Sequence, residues 1–114
     1  ALLILLCAGL VGGLGVAPGA NLGEGLAVFE PTHGSAPKYA KKDLSNPTSF
    51  LLSGAMLFRY MGLEKAAELL EWAIEETVDR KIVTYDLARQ MNNVKPVTCS
   101  EYGEAIKIRI GHST

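Results

Sequence analysis

The sequence predicts an α/β fold in which helices dominate and the strands are few and short. Three observations carry that prediction. Apolar residues recur at helical spacing across 63–80. Helix-start signatures stand at Asn46-Pro47 and Thr98-x-x-Glu101. One apolar run, Leu26-Ala-Val-Phe29, is bounded by Gly25 and Pro31. The chain of 114 residues has room for one ordinary domain. Apolar residues make up 48% and charged residues 20%, a balance that argues against disorder over the whole length. With 11 Lys and Arg against 12 Asp and Glu, the net charge is −1, so no nucleic-acid partner is expected.

The first 23 residues carry no charged side chain. Residues 1–11 read as a buried apolar segment, helical, stopped by Gly12-Gly13. Gly9, Gly12, Gly13, Gly15, Pro18 and Gly19 interrupt the run too often for a membrane span. No Lys or Arg precedes Leu2–Leu6, as a signal peptide requires. No membrane partner is expected. The chain opens inside an apolar run, without Met, and so reads as a piece of a longer protein whose first 12 residues are of uncertain origin. Gly13–Gly23 reads as a glycine-rich turn and Leu26–Phe29 as a buried strand. Residues 30–46 form a polar loop long enough to suggest a function.

Asn46 is placed to cap the next helix, with Pro47 at its first position, where no hydrogen bond is lost. That helix runs through Phe50, Leu51, Ala55, Phe58 and Met61 to Gly62. In the second, over 63–80, Leu63, Ala66, Ala67, Leu70, Ile74, Thr77 and Val78 share a stripe. Glu64, Glu68, Glu71 and Glu75 line the other side. The short joint predicts an antiparallel helical hairpin. Ile82-Val83 reads as a short strand. Thr84 caps a helical turn over Tyr85–Met91, which Asn92-Asn93 and Pro96 break. Thr98-x-x-Glu101 is a capping box that starts a last helix over 99–110, with His112 at a frayed end.

Two segments could carry chemistry. In Glu30-Pro-Thr-His-Gly-Ser-Ala-Pro-Lys-Tyr39, the small Gly34, Ser35 and Ala36 let backbone amides approach a ligand, with Pro37 beside them. His33, Lys38 and Tyr39 add polar groups suited to a phosphate-bearing ligand. The alternative is a solvated loop whose Gly and Pro serve only turns. In Thr84–Arg89, a helix would put Tyr85 and Arg89 on one face, aimed at one oxyanion. The alternative there is a packed Tyr and a solvated Arg. Lys41-Lys42 is readable as plain surface. Gly13-x-Gly15 is no Rossmann fingerprint, since Pro18 stands where the third glycine belongs. Cys7 and Cys99 are too few for a disulfide scaffold or a thiolate zinc site and read as buried thiols. His33 and His112 have no metal-site spacing, and no metal ligand is assigned.

Several motifs in one order resemble a known family over residues 10–108. Gly13–Gly23, Ala27-Val-Phe-Glu-Pro-Thr-His-Gly-Ser-Ala-Pro-Lys-Tyr-Ala40 and Asn46-Pro47 look like the C-terminal part of the isocitrate and isopropylmalate dehydrogenases. Val83-Thr-Tyr-Asp-Leu87 with Arg89, and Cys99-Ser-Glu-Tyr-Gly-Glu-Ala-Ile106, are similar to the bacterial-type NADP-dependent isocitrate dehydrogenases. The resemblance implies a C-terminal fragment of that α/β fold, with 13–114 as a cofactor-binding portion. It implies NADP as cofactor, held by His33, Gly34, Ser35, Ala36, Pro37, Lys38, Tyr39, Asn46, Tyr85 and Arg89. The loop His33–Tyr39 would wrap the adenosine end and Asn46 would meet the adenine. Lys38, Tyr39, Tyr85 and Arg89 match positions that hold the 2′-phosphate, where NAD-dependent members tend to carry an acid at the site of Lys38. Glu30 and Thr32 match positions toward the nicotinamide.

The parent activity implied is oxidative decarboxylation of isocitrate to 2-oxoglutarate in the tricarboxylic acid cycle. It would use Mg²⁺ or Mn²⁺, in a cytoplasmic homodimer. Counted back from Gly12-Gly13, the family's metal aspartates fall on Ala1 and Leu5, which cannot ligate a hard cation. The catalytic tyrosine and lysine and the substrate-binding residues belong to family segments absent here. No catalytic residue is therefore assigned, and the chain alone is expected to be inactive. A fragment of an isopropylmalate-type enzyme and a non-catalytic dinucleotide-binding module are the alternatives. Lys38, Tyr39, Tyr85 and Arg89 favour the NADP reading over the isopropylmalate one.

Overall fold

A computed structural model describes residues 14–112. The apolar segment 1–12, with Cys7, Ala1 and Leu5, lies outside the described residues. After a 3-10 turn at Leu14–Val16, strand β1 (Pro18–Gly23) pairs antiparallel with β2 (Leu26–Pro31). Their register runs from Pro18 opposite Pro31 to Gly23 opposite Leu26. The glycine-rich stretch is thus mostly strand rather than turn. The reversal sits at Glu24-Gly25, where Gly25 takes a φ of 72°. Gly19 shows why a glycine serves within the strand. A Cβ there would stand 2.6 Å from the Glu30 carbonyl oxygen on the paired strand. Gly19→Ala is expected to cost about 1–3 kcal/mol, read from the urea midpoint, because strand backbone has to move.

The expected buried strand is present but half exposed. Ala27 and Phe29 are partly covered, whereas Leu26 is 70% and Val28 47% exposed. A two-stranded ribbon has two faces, and only one meets a helix here. That helix is α1 (Thr48–Tyr60), whose Tyr60 ring lies 5.6 Å from that of Phe29. Ser49 also donates its hydroxyl to the Ala17 carbonyl, just before β1.

Helix α1 starts one residue later than Asn46-Pro47 suggested, with Pro47 at the cap position. Asn46 still caps, because its side-chain oxygen accepts from the Thr48 amide at 3.0 Å. The far end closes as a Schellman motif. Gly62, at φ 80°, donates to the Arg59 carbonyl and Leu63 to that of Phe58. Helix α2 (Glu64–Asp79) returns against α1, as the short joint predicted. Arg59 ties the pair through Glu64, at 2.9 Å, and Glu71, whose carboxyl it holds below the usual range.

Ile82-Val83 is not a strand. Among the described residues, Val83 makes a single backbone bond, accepting from Val97 at 2.9 Å, and no ladder forms beside it. The short helix α3 (Tyr85–Ala88) follows, then α4 (Cys99–His112). The capping box of α4 is complete: the Thr98 amide donates to Glu101 Oε2 at 2.9 Å and the Glu101 amide to Thr98 Oγ1 at 3.2 Å. His112 is the last residue of α4 rather than a frayed end. Cys99 is half-buried rather than buried, and burial, with Asp43 nearby, pushes its thiol up.

The core lies between α2 and α4. Ala73 and Ile74 meet Tyr102 and Ile106, with Leu51 and Leu52 of α1 packed alongside. Helices dominate the described residues and the sheet has two strands, as the sequence predicted. No described helix is long and apolar enough to cross a membrane.

Candidate functional site

A cleft of about 440 Å³ opens between the loop after β2 and helix α3. Loop geometry sets one wall. Ala36 takes a left-handed backbone, φ 43°, and turns the chain into a 3-10 helix at Pro37–Tyr39. The Tyr39 amide donates back to the Ala36 carbonyl at 2.9 Å. His33 Nδ1 lies 2.8 Å from the Gly34 carbonyl. A carbonyl only accepts, so Nδ1 is the donor in that contact.

Helix α3 sets the other wall. The Arg89 amide donates to the Tyr85 carbonyl at 3.1 Å, so the two residues sit one turn apart, as predicted. The Tyr85 and Tyr39 rings lie 5.8 Å apart at 31°. Lys38 Nζ stands 5.3 Å from the Tyr39 ring centre. The neighbouring Tyr85 hydroxyl, then Lys38, lower the Tyr39 phenol from its ordinary value, while the Tyr39 hydroxyl and burial push that of Tyr85 up. The two phenols and the Arg89 guanidinium make a donor-rich rim. Cationic and hydroxyl donors of this kind suit a multiply charged oxyanion.

Eight of the ten residues read from the sequence line this cleft: His33, Gly34, Ser35, Ala36, Tyr39, Asn46, Tyr85 and Arg89. Pro37 and Lys38 do not line it, and Lys38 reaches it through the Tyr39 ring it overhangs. Glu30 and Thr32 also stand apart. Glu30 accepts from Asn21 across the hairpin at 3.3 Å, and Thr32 donates to the Ala17 carbonyl at 3.2 Å.

Gly15, Ser45, Asp86 and Gln90 also line the cleft, and sequence reasoning did not single them out for it. Asp86 follows Tyr85 directly, so helical spacing set it off the Tyr85–Arg89 face. Its carboxylate accepts from Asn46 Nδ2 at 3.0 Å and from the Thr84 hydroxyl at 2.5 Å. Thr84 stands at the cap position of α3 but makes no side-chain capping bond there. Gly15 was considered for a nucleotide fingerprint. Its role here is to leave room, since a Cβ would stand 3.0 Å from Asp86 Oδ2. Among the described residues, no three His, Cys, Asp or Glu side chains gather in a way that could hold a metal.

The family model described as isocitrate/isopropylmalate dehydrogenase matches residues 4–106. Isocitrate dehydrogenase [NADP] of Archaeoglobus fulgidus is 50% identical over 99 residues, covering 87% of this chain and 24% of that protein. Isocitrate dehydrogenase [NADP] of Helicobacter pylori strain 26695 is also 50% identical over 99 residues, covering 87% and 23%. The crystal structure of isocitrate dehydrogenase from Methylococcus capsulatus superposes with a TM-score of 0.88 at 42% identity, covering 96% of this chain and 31% of that one. The chain spans about a quarter of the length of the curated relatives it matches.

Proposed function

The chain belongs to the isocitrate/isopropylmalate dehydrogenase family, and on that premise we propose that it is the part of an NADP-dependent isocitrate dehydrogenase that grips the adenosine end of the cofactor. One observation carries the reading. Tyr39, Tyr85 and Arg89 line one cleft together with the small-residue loop Gly34–Ala36. NADP differs from NAD by a 2′-phosphate, with a charge of about −1.5 to −2 near neutral pH. Two phenol hydroxyls and a guanidinium donate to such a group, and Lys38 adds charge beside them.

When bound, NADP⁺ supplies the hydride acceptor. This chain's residues bind and orient its far end. The loop His33–Tyr39 and Asn46 hold the adenosine, and Tyr39, Tyr85, Arg89 and Lys38 hold the 2′-phosphate. On the same reading, isocitrate, a divalent Mg or Mn ion and the groups that move protons are held by the rest of a cytoplasmic homodimer. The enzyme serves the tricarboxylic acid cycle. The names of the relatives, with NADP printed in each, support the cofactor.

The test is calorimetric titration of the chain with NADP⁺ and NAD⁺ at two salt concentrations. Tighter NADP⁺ binding that weakens with salt is expected. Equal binding of the two would remove the 2′-phosphate assignment. Failure to bind either, by a chain that circular dichroism shows folded, would remove the cofactor site itself. Lys38→Asp is expected to lower the NADP⁺ over NAD⁺ preference about tenfold, the low end for a charge-assisted contact, because the ammonium is exposed and off the cleft wall. The same titrations read that ratio.

A further inference from the structure

We infer that Asp86 is a positioning residue for the adenine end of the cleft, acting through the side chain of Asn46. This rests on the cofactor reading above. The direction of a buried hydrogen-bond chain carries it. Asn46 Oδ1 accepts from the Thr48 amide at 3.0 Å and from the Thr48 hydroxyl at 2.5 Å. That hydroxyl proton is then spent. At the 2.7 Å contact between Thr48 and Tyr102, Thr48 can only accept, and the Tyr102 hydroxyl donates. On the other side, Asn46 Nδ2 donates to Asp86 Oδ2 at 3.0 Å, and the Thr84 hydroxyl donates to Asp86 Oδ1 at 2.5 Å.

Every proton in the chain therefore points toward Asp86. An ionised carboxylate only accepts and the Thr48 backbone amide only donates, so the polarity of the chain is set at both ends. An amide side chain can present either its oxygen or its nitrogen. Asp86 and the Thr48 amide together settle that choice for Asn46, with the NH₂ toward α3 and the oxygen toward the start of α1. Asn46, Thr48, Thr84 and Tyr102 are all buried, so a reversed amide would leave polar groups unpaired away from water. Gly15 guards the arrangement, since a methyl there would press on Asp86 Oδ2 at 3.0 Å. The side chain of Asn46 is thus committed on both ends. What Asn46 offers a ligand depends on where Asp86 holds it.

The test compares NADP⁺, NAD⁺ and the analogue of NADP⁺ with hypoxanthine in place of adenine, by calorimetry on the full chain. Asp86→Asn presents an amide where only an acceptor fits. It is expected to weaken NADP⁺ binding about tenfold. The preference for adenine over hypoxanthine should fall, while the NADP⁺ over NAD⁺ ratio and the salt dependence stay as in the parent. Gly15→Ala keeps every charge and hydrogen-bonding group, and should shift base preference in the same direction even if Asp86→Asn fails to fold. Unchanged binding in both single variants would overturn the inference. So would a loss in Asp86→Asn that is equal for all three ligands. A folded parent that binds none of them would overturn the cofactor reading and this inference together. A parent that binds, with variants that match it, would overturn this inference alone.

Discussion

Arg89→Ala is expected to weaken NADP⁺ binding by about 10- to 150-fold while leaving NAD⁺ binding nearly unchanged. The range is the cost of about 1.5–3 kcal/mol for losing a charge-assisted contact. Arg89 follows α3 directly and lines the cleft beside the two phenols. Its fork of donors can meet two phosphate oxygens at once, whereas Lys38 is a point charge standing over the Tyr39 ring. Arg89→Lys should therefore recover part of the loss but not all. Paired titrations with the two dinucleotides read the outcome. An equal loss for NAD⁺ would show that Arg89 serves the shape of α3 rather than the 2′-phosphate. Raised salt should shrink the difference between parent and variant, because the contact is at an exposed rim.

Tyr102→Ala is expected to lower stability by about 3–5 kcal/mol, the cost of deleting a fully buried aromatic ring. Whole domains of this kind are stable by only about 5–15 kcal/mol, so the variant should be close to unfolded at room temperature. Tyr102 is 0% exposed and packs where α2 and α4 meet. Tyr102→Phe keeps the ring and removes only the hydroxyl that donates to Thr48, for about 1 kcal/mol. Urea midpoints separate the two variants. A small loss in Tyr102→Ala would mean that the core collapses around the cavity.

Alkaline pH gives a second reading of Tyr102. Burial raises its phenol above the ordinary value, which opposes ionisation of the folded chain. The folded state then holds its proton to higher pH than the unfolded state does. The contribution is whole below the ordinary phenol value near 10 and is lost as pH rises through the raised one. The alkaline fall in stability should be shallower in Tyr102→Phe than in the parent.

Local elements were legible because their signals lie within a few residues of the bonds they form. The Thr98–Glu101 capping box closes over three residues. Gly62 ends α1 because a left-handed residue was needed at that step. The stripe of α2 faces the core because its spacing follows the helical period. Seven of the eight cleft-lining residues read from the sequence fall in two short segments whose chemistry is visible in place, and the eighth, Asn46, came from the family resemblance.

Other features depended on partners far along the chain. Pro18–Gly23 has little side chain to mark a strand, and becomes one because the backbone of β2 can approach Gly19 closely. Leu26 and Val28 read as buried by composition. They are exposed because the described residues bring a helix to one face of the ribbon alone. Ile82-Val83 has strand-like residues, but among the described residues no ladder lies beside it and Val83 accepts one bond, from Val97. Asp86 joins the cleft through a bond to Asn46, 40 residues away, which no local signal marks.

By itself, the sequence determined the helix-start signals at Asn46 and Thr98, the helix stop at Gly62, and which face of α2 is apolar. Those properties follow from bonds and periodicities spanning three to five neighbouring residues. Only the tertiary structure decided that β1 exists, which faces are covered, and that Gly15 and Asp86 help build the cleft. Such features are contacts between distant segments, and a residue's own neighbours carry no record of the partner that packing brings to it.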